Sequence, residues 1–220
     1  NRLAYFDTDK KELSFLTTEI NWDVDDAELS DNGKEIAFET NENGLSKLYI
    51  LSTETKKFIP VQGLPTGVMR GMQWSDDSKS IGFTFGVYNS SSIAYEFNTA
   101  TNELIRWTKS ETGGIDLSML QEPELISWKS FDELTISGYL YKASKKFTGK
   151  RPVIIDIHGG PEGQSRPVYQ GRDCYFLNEL GISIIYPNVR GSSGYGKSFL
   201  DLDNGLKREE SVKDIGALFD

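Results

Sequence analysis

The sequence has very few of the residues that metal and disulfide sites require. Its 220 residues include one cysteine, Cys174, and one histidine, His158. One cysteine excludes an internal disulfide framework and a zinc site built on cysteines. One histidine excludes any mechanism that needs two histidines from this chain. We therefore expect no metal site and no bound cofactor.

Long apolar runs and an excess of positive charge are also missing. There is no run of about 18 apolar residues, so the sequence predicts no transmembrane helix. It carries 24 Lys and Arg against 33 Asp and Glu, a formal net charge of −9. This balance lacks the general basic character that neutralises phosphates. We expect binding to neither nucleic acid nor a membrane.

The two ends of the sequence predict an internal fragment of a longer protein. The chain begins at Asn1 without an initiator methionine, and no basic-then-apolar targeting segment follows. Residues 211–220 predict an amphipathic helix that has no stop signal. The compartment therefore stays open between the cytoplasm and the periplasm.

The first half of the chain contains a repeat of short β-strands. The segments SDNGK at residues 30–34 and SDDSK at residues 75–79 lie 45 residues apart, and each precedes an apolar strand. Residues 48–55 and 94–101 form a second matching pair, offset by 46. A period of about 40–45 residues with several short strands is typical of a β-propeller blade. The alternative is a β-sandwich with coincidentally similar turns.

The second half predicts a different architecture. Residues 108–124 are polar and glycine-rich and read as a linker, and residues 125–141 predict a β-hairpin. Further on, strand, helix and strand follow one another in a βαβ unit with a parallel strand pair. Its predicted parts are a buried strand at 153–157, a helix at 175–180 with Gly181 as its C-cap, and a buried strand at 182–186 that ends at Pro187.

A glycine pair follows the first strand of that unit, in the segment HGGPEG at residues 158–163. Glycines at the carboxyl end of a parallel strand can direct backbone N–H groups into a cleft, where they would stabilise a developing oxyanion. The residues alone leave a plain turn equally open. A catalytic base normally comes later in such a sheet, so we interpret His158 as structural.

Residues 191–198, GSSGYGKS, match the phosphate-binding pattern G-x-x-x-x-G-K-[ST]. A genuine P-loop needs its Lys-Ser pair to begin a helix that binds phosphate at its N-terminus. Here the breaker Asp203-Asn204-Gly205 follows after a few residues. We therefore predict that this segment does not bind a nucleotide.

No nucleophile elbow G-x-S-x-G occurs in the 220 residues. The nearest segment, 163–167, ends in Pro167 instead of the glycine that close packing requires. No serine of this chain is a good candidate for a nucleophile.

Together, HGGP at 158–161 and PNVRGSSGYG at 187–196, placed after a predicted propeller, resemble the prolyl oligopeptidase family of serine peptidases. The H-G-G-P form is most similar to the acylaminoacyl-peptidase branch, and the resemblance covers nearly the whole chain. It implies a two-domain fragment, a partial β-propeller followed by the N-terminal part of an α/β-hydrolase domain. The implied boundaries are 1–113 for the C-terminal propeller blades, 114–124 for the linker and 125–220 for the peptidase domain.

The resemblance also implies roles for residues of this sequence. Gly160, with Gly159, would supply the oxyanion donor, whereas the Ser, Asp and His of the triad would lie beyond the helix at 211–220. The fragment itself is then expected to be inactive. The residues implied to support the site structurally are His158, Pro161, Arg190, Gly191 and Tyr195.

Substrates implied by the resemblance are short peptides, and acylaminoacyl, dipeptidyl and prolyl specificities are not separated. A homo-oligomer of the full-length protein is a further expectation. Two other classes stay open at this point: an esterase on the same α/β-hydrolase scaffold with a propeller cap, and a non-catalytic propeller that serves as a binding module.

Overall fold

The computed structural model describes residues 1–111, 114, 116–160 and 162–219. The chain divides into two compact units. The first comprises Asn1–Gly86 and Ser92–Ser110, and the second comprises Val87–Ser91 and Glu111–Asp220. In the part of the chain that is described, no helix has the length and apolar character needed to cross a membrane.

The first unit contains a two-stranded sheet and two four-stranded sheets. In both larger sheets the strands are neighbours in chain order, β3-β4-β5-β6 and β7-β8-β9-β10. The strands are β1 Ala4–Asp7, β2 Glu12–Phe15, β3 Asp23–Leu29, β4 Glu35–Glu42, β5 Leu45–Ser52, β6 Phe58–Pro60, β7 Gly67–Trp74, β8 Ser80–Val87, β9 Ser90–Asn98 and β10 Glu103–Arg106.

The two four-stranded sheets repeat each other as the sequence predicts. Corresponding strands begin 44 or 45 residues apart. The turns at 30–34 and 75–79 both join the first strand of a sheet to the second, and both close with a backbone hydrogen bond, Ser30 N–H to Glu35 O at 2.9 Å and Ser75 N–H to Ser80 O at 2.8 Å. The serine hydroxyl bonds the side chain two residues on in both turns. The predicted equivalence of these turns is therefore confirmed.

Side chains and backbone groups tie the two sheets together. The Trp74 indole N–H donates to the Glu28 carbonyl at 3.0 Å, and the Asn32 N–H donates to the Ser78 hydroxyl at 3.1 Å. On the opposite side of the first sheet, Phe38 stacks on Tyr49 with ring centroids 5.1 Å apart. Sheets of four strands packed face to face, without a closed barrel, match the blades of a propeller domain.

The second unit is built on one mixed sheet in the order β11-β12-β14-β13. Strands β11 and β14 both pair antiparallel with β12, and β13 pairs parallel with β14. The strands are β11 Glu124–Lys129, β12 Thr135–Tyr141, β13 Val153–Ile155 and β14 Ser183–Asn188. The helices are α1 Lys197–Leu200 and α2 Glu210–Gly216, with a π-helical turn at Phe176–Leu180 and 3-10 turns at Leu117–Met119, Gly171–Asp173, Asp201–Asp203, Gly205–Lys207 and Ala217–Phe219.

This unit confirms several local predictions. The hairpin predicted at 125–141 is formed by β11 and β12, and the predicted parallel pair is formed by β13 and β14. Gly181 ends the helical turn before β14 with a φ of 64°, and its N–H donates to the Phe176 carbonyl. That turn is π-helical, where an ordinary α-helix was predicted at 175–180.

Two predicted strand ends are wrong. The strand predicted at 153–157 ends at Ile155, and Ile157 is 51% exposed. The strand predicted to stop at Pro187 continues to Asn188. The Ile185 carbonyl accepts the Asp156 N–H, so Pro187, two residues on, also faces the β13 side, where β13 has already ended. Proline has no N–H, so it donates no ladder hydrogen bond on that side.

The predicted linker at 108–124 holds the 3-10 turn Leu117–Met119 and the first residue of β11. Gly113, the predicted last residue of the propeller part, lies outside the described residues. The predicted C-terminal helix is shorter than expected, because α2 ends at Gly216 and a 3-10 turn follows it.

Candidate functional site

The candidate site is the turn that follows β13. The chain leaves the sheet after Asp156, and Gly159 and Gly160 are exposed. Gly160 has a φ of +105°, a conformation that L side chains rarely adopt, and a Cβ built there would meet no atom within 4 Å. The backbone conformation at residue 160 therefore requires a glycine. Within the described residues the Gly160 N–H donates to no acceptor, and Pro161 lies outside them.

His158 is tied into the neighbouring loop through its ring. Its Nε2 lies 3.0 Å from the Ser192 hydroxyl. Because that hydroxyl donates to the Val189 carbonyl at 2.6 Å, it accepts from the imidazole N–H. Burial lowers the pKa of His158, and the Gly159 carbonyl near Nδ1 opposes this. The ring is therefore a neutral donor at physiological pH, which fits a structural role.

The loop after β14 packs directly against the turn after β13. The Ser193 N–H donates to the Gly163 carbonyl at 3.0 Å. The Asn188 side chain accepts the Ser165 N–H at 2.7 Å and donates to the Ser165 carbonyl at 2.9 Å. These bonds bring the two sequence motifs, 158–163 and 187–196, side by side.

Gly191 and Tyr195 fix the shape of that second loop. Gly191 has a φ of +88°, and a Cβ there would lie 2.2 Å from a carboxylate oxygen of the buried Asp203. The Tyr195 hydroxyl accepts from the Asn188 amide at 3.1 Å and lies 3.1 Å from the Ser137 hydroxyl on β12. Tyr195 therefore ties the loop to β12, and Gly191 leaves room for the Asp203 carboxylate; their role as supports of a catalytic site stays a prediction.

Arg190 is the centre of a buried charge cluster. Its side chain is 2% exposed, and its guanidinium contacts three carboxylates. It donates to Asp214 at 2.8 Å, to Asp132 at 2.8 Å and to Glu210 at 3.1 Å. Asp214, on α2, is fully buried and also accepts the Arg190 backbone N–H at 2.9 Å and the Ser130 hydroxyl at 2.6 Å. The cluster joins α2, the β11–β12 turn and the loop after β14.

The charges in this cluster reinforce one another. Burial disfavours the Arg190 cation, but hydrogen bonds with Asp132 and Asp214 outweigh it and raise the Arg190 pKa. The hydrogen bond from Arg190 lowers the pKa of Asp132 below its usual range. Arg190 was expected from the sequence, whereas its three carboxylate partners were missed. The one signal in the sequence was a single charged residue in a loop that is otherwise uncharged at 187–196, because an arginine that is buried needs charged partners.

The segment that matches a P-loop lacks the geometry of one. Lys197 begins α1, which has only four residues, and its side chain is 83% exposed and pairs with Asp201 at 3.6 Å. Gly191, at the start of the pattern, faces the carboxylate of Asp203. An aspartate at this position would repel a phosphate.

We predict that the protein does not bind ATP. Isothermal titration with Mg²⁺-ATP should give no saturable heat at micromolar concentration, because the helix that begins at Lys197 has only four residues and the Asp203 carboxylate faces Gly191. Micromolar, Mg²⁺-dependent binding that is lost in Lys197→Ala would contradict this prediction.

Parts of the sequence match curated proteins. No protein-family model matches the chain. The uncharacterized peptidase YuxL of Bacillus subtilis is 32% identical over 84 residues, 38% of this chain and 13% of that protein. Dipeptidyl peptidase family member 6 of Caenorhabditis elegans is 28% identical over 46% of this chain and 17% of its own length. The acylamino-acid-releasing enzyme of Arabidopsis thaliana is 36% identical over 34% of this chain and 10% of its own length.

Solved structures match over almost the whole chain. A puromycin hydrolase superposes with a TM-score of 0.86 at 20% identity, covering 99% of this chain and 34% of the other. A prolyl endopeptidase superposes with a TM-score of 0.84 at 17% identity, covering 99% of this chain and 32% of the other. This chain thus spans about a third of the length of the structures that it matches.

The three curated relatives are named as peptidases or as an acylamino-acid-releasing enzyme. The superpositions, at 17% and 20% identity, show that this chain shares its fold with the corresponding parts of a prolyl endopeptidase and a puromycin hydrolase.

Proposed function

We propose that these 220 residues are part of a serine-type peptidase that hydrolyses short peptides. The observation that carries this proposal is the exposed Gly160 in the turn after β13, which is hydrogen-bonded to the loop after β14. In such a peptidase this N–H, with Gly159 beside it, would donate to the oxygen of the tetrahedral intermediate. His158, Pro161, Arg190, Gly191 and Tyr195 would support the turn rather than react.

The second unit is proposed to be the N-terminal part of an α/β-hydrolase domain. The order β11-β12-β14-β13, with β12 antiparallel to both neighbours, supports this assignment. In α/β-hydrolases one oxyanion donor comes from the loop after the third strand, and β13 is third in chain order here. Ligands of such sheets bind at the carboxyl ends of the parallel strands, which is where Gly160 lies.

The nucleophile and its base are proposed to lie outside these 220 residues. The sequence holds no G-x-S-x-G elbow and only one histidine, which is engaged with Ser192. The curated relatives match this chain over 17% of their length or less, which leaves room for a triad elsewhere in the parent protein.

A fluorophosphonate probe tests this proposal. The 220-residue chain should not be labelled, because no serine here has a base to activate it. The full-length parent protein should be labelled stoichiometrically at one serine. Labelling of the 220-residue chain, at Ser165 or Ser193 for example, would refute the absence of the nucleophile.

Substrate class is tested separately on the full-length protein. Chromogenic acyl-aminoacyl, dipeptidyl and X-Pro amides should be hydrolysed, with one of them strongly preferred. Hydrolysis of simple esters alone, with no amide cleaved, would instead favour the esterase. Neither hydrolysis nor labelling would favour a non-catalytic binding module.

A further inference from the structure

We infer that Ser192 is a positioning residue for the oxyanion turn, holding it through the imidazole of His158. This inference rests on the proposed function and adds to it a residue that contacts neither substrate nor the reacting atoms. Ser192 is fully buried, and its hydroxyl joins the His158 ring to the Val189 carbonyl. It is the only side chain among the described residues for which a hydrogen bond to that ring is observed.

The directions of these hydrogen bonds make the connection specific. A serine hydroxyl has one proton, and at Ser192 this proton goes to the Val189 carbonyl. The oxygen can then only accept from the His158 Nε2–H, which fixes both the tautomer and the plane of the ring. The ring in turn lies against Gly163, where a Cβ would come within 2.9 Å of Nδ1.

The backbone that precedes Ser192 is fixed by the buried charge cluster around Arg190. Arg190 lies two residues earlier, and both its backbone N–H and its guanidinium donate hydrogen bonds to the Asp214 carboxylate of α2. The position of the Ser192 backbone is therefore set by a charged contact that is inaccessible to solvent. The connection runs from α2 through Arg190 and Ser192 to His158, whose next two residues are the proposed oxyanion glycines.

The 220-residue chain allows a direct test, because it contains a single histidine. Its imidazole Nε2–H gives one assignable NMR signal. In the unchanged chain this proton should exchange slowly with solvent. In Ser192→Ala it should exchange at least about tenfold faster, on the scale of one lost hydrogen bond. Ser192→Cys, which retains a weak acceptor of similar shape, should give an intermediate rate.

Ser193→Ala is the matched control. It makes the same chemical change one residue later, its backbone bond to Gly163 is kept, and no hydrogen bond of its hydroxyl is observed among the described residues. Exchange of the His158 proton should not change in this variant. Equal acceleration in Ser192→Ala and Ser193→Ala would overturn the specific role of Ser192.

Kinetics of the full-length peptidase provide the second readout. Ser192→Ala should lower kcat about tenfold while KM changes less than about threefold, because a displaced oxyanion donor is felt mainly in the transition state. Ser192→Cys should recover part of the lost kcat, and Ser193→Ala should behave as the unchanged enzyme.

The two readouts separate the inference from the proposed function. Unchanged imidazole exchange in Ser192→Ala overturns the positioning role, whatever the activity. Faster exchange with an unchanged kcat also overturns it, since the turn would not depend on the ring. If the full-length protein hydrolyses no peptide at all, the proposed function fails, while the NMR result still decides whether Ser192 holds His158.

Discussion

Replacing Arg190 by methionine should lower the free energy of unfolding of the second unit by about 3–5 kcal/mol. The substitution keeps most of the aliphatic volume but removes the only cation that contacts the fully buried Asp214 among the described residues. An uncompensated buried carboxylate is strongly destabilising, and here Asp132 and Glu210 would add their own negative charges nearby. Hydrogen exchange of β11–β12 peptides at increasing urea concentration measures this free energy for the second unit.

Two further variants serve as controls for this measurement. Arg172→Met removes an arginine whose side chain is 96% exposed, and it should change stability by no more than about 0.5 kcal/mol. Adding Asp214→Leu to Arg190→Met should restore part of the loss, since the pair is then replaced by apolar groups. A loss below about 1 kcal/mol in Arg190→Met would show that the buried cluster is not a major source of stability.

Under the proposed function, Gly160→Val should lower kcat of the full-length protein by about 100-fold or more, the scale of one lost oxyanion donor. Valine cannot adopt a φ of +105° without strain, so the turn would change conformation and carry the Gly160 N–H away. KM should change less, because the interaction strengthens mainly in the transition state. Steady-state kinetics with the preferred chromogenic peptide measure both values.

Gly149→Val is the control for backbone strain. Gly149 also has a positive φ, 78°, and open space around a Cβ, but it lies in the loop before β13. The Gly149→Val variant should lose stability in the same way as Gly160→Val while keeping its kcat.

His158→Ala should lower kcat less than Gly160→Val and mostly reduce stability. Abolished activity in well-folded His158→Ala, with Gly160→Val active, would mean that the two roles are reversed.

Much of the fold could be predicted because it depends on local chemistry. The turns at 30–34 and 75–79 repeat because a serine hydroxyl, a side-chain acceptor two residues on and a residue of positive φ together close a tight hairpin. Gly181 could be predicted as a C-cap for the same reason, since few residues other than glycine adopt its φ.

The parts that could not be predicted depend on contacts between distant residues. Arg190 pairs with three carboxylates that lie 58, 20 and 24 residues away in the sequence, those of Asp132, Glu210 and Asp214. No local sequence pattern identifies these carboxylates as its partners. Asn188 likewise pairs with the backbone of Ser165 across 23 residues. The position of the glycine turn could be predicted, with Arg190 among its supports, whereas the carboxylates that pair with Arg190 could not be predicted.

Pro187 interrupts the hydrogen bonding between β14 and β13 next to the turn that follows β13. In the parallel pair the Ser183 N–H donates to Pro152 and the Ile185 carbonyl accepts from Asp156, so the next rung would require an N–H at residue 187 to reach the Asp156 carbonyl. Proline has none. The ladder between β13 and β14 therefore lacks this hydrogen bond, with or without a bound ligand. The missing hydrogen bond lies where β13 ends and the turn with Gly159 and Gly160 begins, so the covalent structure of a residue on the neighbouring strand marks the end of the parallel pairing.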